Sequence, residues 1–212
     1  MGKVLAIASQ KGGVGKTTTS VNLAASLAVT RKKVLLIDMD PQGNATTGSG
    51  VDKAELTASI YHLLIEAKKV QDVLLRQEAG YDLLPANGDL VAAEVELMGG
   101  LDRELRLRKI IDLIGSSYDF IVVDCPPSLN MLTVNALAAA EGVVIPMQCE
   151  YYALEGLSAL MDTIGVIRDN LNPKLKIEGI LRTMYDPRSR LTSEVNGQLF
   201  NHFGDTVYRT VV

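Results

Sequence analysis

Gln10-Lys11-Gly12-Gly13-Val14-Gly15-Lys16-Thr17-Thr18 puts three glycines, two lysines and two threonine hydroxyls into one short stretch. An apolar run, Lys3–Ser9, precedes it, and a helical pattern, Gly15–Val29, follows. A strand, a glycine-rich turn and a helix start together make an anion site: consecutive backbone N–H groups converge on phosphate oxygens, and the helix dipole adds positive potential. Glycine allows the close backbone approach. In such a turn Lys16 would reach the β- and γ-phosphates of a nucleotide and the Thr17 hydroxyl would bind Mg²⁺. The phosphate-loop pattern G-x-x-x-x-G-K-[ST] fails at its first glycine, which is Gln10 here, and a second lysine, Lys11, stands beside it. A dinucleotide fingerprint fits less well, because Gly13-x-Gly15 is followed by Thr18 rather than glycine. The alternative without chemistry is a glycine turn before an ordinary helix.

Two further acidic segments end apolar runs. Lys33–Asp38 leads into Asp38-Met39-Asp40-Pro41-Gln42-Gly43-Asn44. Carboxylates two residues apart share one side of an extended chain. Beside a Mg-nucleotide one could touch the metal shell and the other orient a water; otherwise they make a solvated acidic turn. Tyr118–Asp124 ends in an acid before Cys125-Pro126-Pro127-Ser128. An apolar strand ending in Asp is weak evidence alone, but downstream of a phosphate loop Asp124 is expected to support Mg²⁺ directly or through water.

These residues need a scaffold that gathers strand ends. The chain alternates apolar runs with helical patterns: helices at Ala58–Ala67, Val70–Gln77 (weaker), Leu90–Met98, Asp102–Ile114, Leu129–Ala140, Tyr152–Leu171 and Leu191–Phe203, and strands at Tyr81–Pro85, Gly142–Pro146, Lys176–Met184 and Thr206–Val212. Strands apolar throughout and joined by helices imply a parallel sheet covered on both faces. Right-handed crossovers then give a doubly wound α/β domain, whose ligand lies beyond the carboxyl ends of the strands. With no repeat and no linker, one domain over residues 1–212 is expected.

Composition narrows the classes. Hydrophobic residues make up 47% and charged residues 22% of 212 residues, which excludes wholesale disorder. The net charge of −4 does not advertise a nucleic-acid binder, so that role would need a local patch. Two cysteines, Cys125 and Cys149, make no disulfide framework and suit a reducing compartment. No signal peptide or long apolar span is apparent, so a cytoplasmic protein without a membrane anchor is expected. His62 and His202 have no zinc-ligand spacing and read as polar helix residues.

KGGVGKTT, DMDPQGNAT, DCPPS and QCEYYALEGL, in this order, resemble the ParA/Soj family of chromosome and plasmid partition ATPases over essentially the whole chain. The family's deviant Walker A motif, K-G-G-x-G-K-[ST], is matched by Lys11 to Thr17. The resemblance implies ATP and Mg²⁺ as cofactors and a phosphate cradle of Lys11, Gly12, Gly13, Val14, Gly15, Lys16, Thr17 and Thr18. It implies metal contacts at Thr17, Asp38 and Asp124, with Lys11, Lys16 and Asp40 catalytic. Lys11 would reach the other subunit's phosphates in an ATP-dependent homodimer, and Asp40 would position the attacking water. Asp38–Thr47 and Asp124–Ser128 would be switch loops. It further implies non-specific binding of double-stranded DNA by the ATP dimer, a nucleoid location in that state, and a ParB/Spo0J-type partner that stimulates hydrolysis. Arg188 and Arg190, in Asp186-Pro187-Arg188-Ser189-Arg190, are the candidate phosphate contacts on DNA. Family members continue beyond the strand that ends this sequence, so a C-terminally truncated domain is expected. The alternatives are a MinD-like membrane-associated division regulator and a nucleotide-binding module impaired in hydrolysis.

Overall fold

The computed structural model describes residues 2–97, 99–151 and 153–212. Five central strands carry the chemistry-bearing ends: β1 (Lys3–Ile7), β2 (Val34–Asp38), β5 (Phe120–Asp124), β6 (Gly142–Gln148) and β7 (Lys176–Thr183). With β3 (Leu75–Arg76), β4 (Asp82–Leu84) and β8 (Val207–Val211) they form one sheet in the order β3-β4-β2-β5-β1-β6-β7-β8. Every neighbouring pair is parallel except β3 with β4. This is the doubly wound α/β architecture expected from the alternation of runs.

The sheet is apolar on both faces because alternate residues of each strand face opposite helical layers. Val4 and Ala6 of β1, Leu35 and Ile37 of β2, and Ile121 and Val123 of β5 join one buried cluster. It is completed by α3 (Ile60–Leu64), α4 (Leu90–Leu97), α5 (Arg106–Ile114), α6 (Met131–Ala139) and α7 (Ala153–Asn170). Ile7, Leu36, Val122 and Val144 face the other way, against α1 (Lys16–Val29). Each fully buried Leu, Ile or Val adds about 1.5–3 kcal/mol relative to exposure, so this two-sided burial fixes the register that aligns the strand ends. Polar side chains close the helical layer where backbone groups would otherwise be orphaned. Asn172 donates to Leu137 O (3.0 Å) and Ala140 O (2.6 Å), and Asn135 accepts from Leu107 N (3.1 Å) while donating to Arg103 O (2.8 Å).

Three local expectations are corrected. Val70–Gln77 is not helical: a single 3₁₀ turn, Val70–Asp72, leads into β3. The cause is the turn at Gly80 (φ 88°), where Gly80 N donates to Gln77 O (3.0 Å) and Gln77 N to Tyr81 O (3.0 Å), folding β3 back on β4 as a hairpin. A short helix absent from the sequence pattern, α2 (Asn44–Gly48), follows β2. The pattern over Leu129–Ala140 becomes helical only at Met131, where Asn130 caps α6 by accepting from Thr133 N (3.2 Å). The expected ends at Met98 and Tyr152 lie outside the described residues. The last helix, α8 (Arg190–Phe203), precedes β8. Among the described residues no helix is long and apolar enough to cross a membrane.

The β7–β8 edge depends on one small residue. A Cβ on Gly179 would lie 2.3–2.6 Å from ring atoms of Tyr208. Gly179→Ala is therefore expected to destabilise the fold by roughly 1–3 kcal/mol, as overpacking does. A lower urea midpoint would be the readout, and Tyr208→Ala in the same chain should relieve it.

Candidate nucleotide-binding site

The ends of β1, β2 and β5 lie abreast: Ile7 pairs with Asp124 and Asp38 pairs with Asp124 in register. Beyond β1 the chain turns through two left-handed glycines, Gly13 (φ 73°) and Gly15 (φ 83°), and enters α1 at Lys16. That backbone conformation is strained for residues with a Cβ, so these two glycines are required by geometry. The turn and the α1 start line an open cleft through Gly12, Gly13, Gly15, Lys16, Thr17 and Thr18. Asp40, Gln42, Asn44, Pro127 and Met184 complete its wall.

Lys16 is 7% exposed, and its ammonium donates to Lys11 O at 3.0 Å. Burial pushes its pKa down, opposed by the carboxylates of Asp124 and Asp40. Asp124 is fully buried yet satisfied: Thr17 Oγ1 donates to Oδ2 (2.8 Å) and Ser20 Oγ to Oδ1 (2.7 Å). Burial raises its pKa to about 6 against those hydrogen bonds. Ser20, which no motif points to, sits one helical turn after Lys16, and its single hydroxyl proton is shared between Asp124 Oδ1 and Lys16 O (3.0 Å).

Asp38, the other carboxylate expected at the metal, is bonded to its own segment rather than to a hydroxyl of α1. Like Asp124, it is fully buried behind the cleft wall. Its Oδ1 accepts from Asp40 N (3.1 Å), and its Oδ2 from Thr46 N (2.8 Å) and Thr46 Oγ1 (2.7 Å). Burial and the neighbouring Asp124 raise its pKa to about 7. Asp38 thus ties β2 to α2 and presents Asp40, which lines the cleft and accepts from Gln42 N through Oδ1 (2.9 Å). Gly43 (φ 61°) makes the turn between them, where a Cβ would lie 2.7 Å from Ala86 O.

Lys11 is not part of the cleft wall. Its ammonium is held by the Glu150 carboxylate, in the segment after β6. Thr183, at the end of β7, donates to Val14 O (2.8 Å) and so braces the glycine turn from the far side. The next residue, Met184, has φ 49° and reaches the cleft. Neither residue has a motif signal; the rule that strand ends line the site is the only guide to them. Arg188 and Arg190 do not line the cleft, and their side chains are 88% and 94% exposed. Arg188 makes two bonds to Asp186 (2.9 and 3.0 Å), and Arg190 pairs with Glu194 (3.0 Å).

A divalent cation is compatible with this donor set only in a particular way. Among the described residues no group of three or more His, Cys, Asp or Glu could hold a metal ion. One hydroxyl and one adjacent carboxylate, Thr17 and Asp124, suit Mg²⁺, which keeps several waters and takes its other ligands from phosphates rather than from a protein cage.

A glycine turn opening a helix beside a hydroxyl–carboxylate pair, at the carboxyl ends of a parallel sheet, defines a P-loop nucleotide-binding protein. A profile of the AAA domain matches residues 2–177. The sporulation initiation inhibitor protein Soj of Bacillus subtilis is 49% identical, covering 100% of this chain and 84% of its own length. The chromosome partitioning protein ParA of Myxococcus xanthus is also 49% identical, over 100% of this chain and 75% of its own. The chain belongs to the ParA/Soj family of partition ATPases. Among solved structures, a cobyrinic acid a,c-diamide synthase from Mycobacterium smegmatis with bound ADP and magnesium superposes with a TM-score of 0.92. It is 39% identical, with 96% of this chain and 83% of that one covered.

The buried acids set a pH dependence. Asp38 and Asp124 ionise at 3.8 when unperturbed and at about 7 and about 6 in the fold. Between those values the folded chain retains protons that the unfolded chain has released, so stability falls as pH rises, by up to about 1.4 kcal/mol per pH unit per group. Glu104 and Asp186 are shifted the opposite way, downward, by hydrogen bonds from Arg103 and Arg188. The urea midpoint of the nucleotide-free chain is expected to drop between about pH 5 and about pH 7. Asp38→Asn should make that slope shallower whatever its own cost; a midpoint that rises with pH would contradict the assignment.

Proposed function

We propose that the chain is an ATP-dependent partition switch, folded as one P-loop domain over residues 1–212, in which Mg-ATP drives homodimerisation and hydrolysis resets the dimer. What carries this reading is the grouping of Lys16, Thr17 and Asp124 around a left-handed glycine turn, with Asp40 on the facing wall. Backbone N–H groups from Gly12 to Thr18 cradle the phosphates, and Lys16 neutralises the β- and γ-oxygens. Thr17 and Asp124 are the residues that would hold Mg²⁺, the hydroxyl as a ligand and the carboxylate directly or through water. A bound Mg²⁺ would supply positive charge to offset the negative charge that develops on the phosphate.

Hydrolysis then needs a water in line with the γ-phosphorus. The Asp40 carboxylate accepts a hydrogen bond from that water, orienting it and taking up its proton as the O–P bond forms and ADP leaves. Asp38 acts one step back, as a positioning residue that fixes the Asp40 backbone. Lys11 would exchange Glu150 for the phosphates of a second subunit. The γ-phosphate supplies the differential interaction that favours the dimer, and its departure removes that interaction. The name of the Mycobacterium smegmatis structure supports ADP and magnesium as ligands of this cleft; the names of the Soj and ParA relatives support a role in chromosome partitioning. The family reading adds non-specific DNA and a ParB/Spo0J-type protein as partners, and a nucleoid location within the cytoplasm for the ATP dimer. Arg188 and Arg190 are the proposed DNA contacts. Their present carboxylate partners are exposed, and such pairs are worth only about 0–1 kcal/mol, so phosphates can replace them.

Two substitutions separate binding from chemistry. Lys16→Ala is expected to weaken Mg-ATP binding by more than about tenfold, because it removes a charge-assisted hydrogen bond to phosphate. Asp40→Ala should bind ATP as the parent does, remain dimeric, and lose hydrolysis by about 10²-fold or more. Equilibrium binding of a fluorescent ATP analogue, light scattering and phosphate release read the three properties separately. Parental hydrolysis in Asp40→Ala would move the water-positioning role elsewhere.

The DNA-binding role has its own test. In an ATP-locked dimer, Arg188→Ala should reduce the slope of log affinity against log salt by about 0.9 for each DNA phosphate that is no longer neutralised, for any duplex sequence. ATP hydrolysis without DNA should not change. An unaltered slope and affinity would take this loop off the DNA-binding face.

A further inference from the structure

A second concave surface lies away from the nucleotide cleft, between α3, the 3₁₀ turn at Val70–Asp72 and α5, and it shares no residue with the cleft wall. Its floor is aliphatic. Leu63 and Ile110 are buried there, Val70 and Ile114 are partly buried, and Leu113 stands at the lip with 78% of its surface exposed. Four cations line it, Lys68, Lys69, Arg106 and Lys109, against one carboxylate, Glu66. That carboxylate is already engaged by Arg106. In a chain of net charge −4 this is a local reversal of sign.

The cations are poorly satisfied. Lys69 is exposed, and among the described residues no hydrogen bond or ion pair engages its ammonium. Lys109 pairs with Asp102 at 3.0 Å, but both side chains are at least half exposed, so the pair is readily exchanged. The Arg106 Nε is buried and makes no hydrogen bond among the described residues. Among the described residues the Lys68 ammonium donates only to a backbone carbonyl, Thr57 O (2.9 Å). An exposed leucine over an aliphatic floor, rimmed by lysines with weak or no partners, is the complement of a segment carrying apolar side chains on one face and carboxylates beside them.

We propose that this groove docks an acidic amphipathic segment of a protein partner, its apolar side chains on Leu63, Ile110 and Leu113 and its carboxylates on Lys69 and Lys109. Helix-in-groove recognition uses this division between apolar anchors and flanking charge. A nucleic acid fits less well. The recessed floor has no aromatic ring for base stacking, and Glu66 would oppose a run of phosphates.

The test uses the 212-residue chain and a helical peptide of leucine and glutamate, leucines at helical spacing. Fluorescence anisotropy compares it with the same peptide carrying lysine for every glutamate, and with a duplex oligonucleotide. The glutamate peptide is expected to bind saturably and the lysine peptide not to bind. The double variant Lys69→Glu/Lys109→Glu should weaken the glutamate peptide by roughly tenfold or more, and Leu113→Ala should weaken it too. ATP hydrolysis should stay at the parental rate in all of them, and circular dichroism should confirm the fold. Failure of the glutamate peptide to bind, equal binding of the two peptides, or binding insensitive to the charge reversal would overturn the proposal. So would a duplex that loses affinity on the reversal while the glutamate peptide does not bind.

Discussion

Asp124 is buried at the end of the central strand β5, where an ionised carboxylate is strongly disfavoured, and the hydroxyls of Thr17 and Ser20 supply the hydrogen bonds that make it tolerable. Those two bonds join the first turn of α1 to β5. They also hold the Lys16 ammonium beside two acids in a place where it is itself largely desolvated. The carboxylate, the hydroxyls and the lysine are therefore mutually dependent: removing one leaves another buried without compensation. Because Ile7, Asp38 and Asp124 are in register, the same hydrophobic burial that sets strand order also sets the distances inside the cleft.

The acidic segment after β2 is organised by the same constraint. Asp38 commits both oxygens to Asp40 N and Thr46, and Thr46 Oγ1 in turn accepts from Ala86 N at 2.9 Å. One buried carboxyl thus links β2, α2 and the end of β4. Asp40 is the member of the pair left facing the cleft. Any movement of the α2 segment would have to break this network.

The phosphate loop, the parallel sheet and the acids at strand ends were legible because each depends on local residue type. Apolar runs mark strands buried on both faces, and Gly-Lys-Thr opening a helix marks an anion site. What escaped depends on tertiary partners. α2 is only five residues long and rests on Thr46 bonding to Asp38, so no periodicity could announce it. Residues 70–77 had a helical pattern, but the hairpin through Gly80 placed Leu75 beside Leu83 instead. The two acids of Asp38-x-Asp40 looked equivalent as residue types; only the burial of one and the cleft position of the other separate their roles. Glu150 gave no sign of its pairing with Lys11, since the two are brought together by the adjacency of β1 and β6.

The far wall of the cleft connects the glycine turn to the last helix. Thr183 holds Val14 O, and its neighbour Arg182 is 5% exposed with no carboxylate among its described hydrogen-bond acceptors. The Arg182 guanidinium donates to Asn196 Oδ1 (2.6 Å), Tyr208 O (2.8 Å) and Arg209 O (3.0 Å), and lies 5.4 and 5.1 Å from the ring centres of Tyr185 and Phe200. A buried cation held by carbonyls and ring faces tolerates little displacement, because each partner replaces water it cannot regain. Two consecutive residues at the end of β7 thus grip the phosphate loop on one side and α8 with β8 on the other. The turn bearing Arg188 and the start of α8 at Arg190 follow directly, so the residues proposed to meet DNA are anchored by the same strand end that braces the glycine turn.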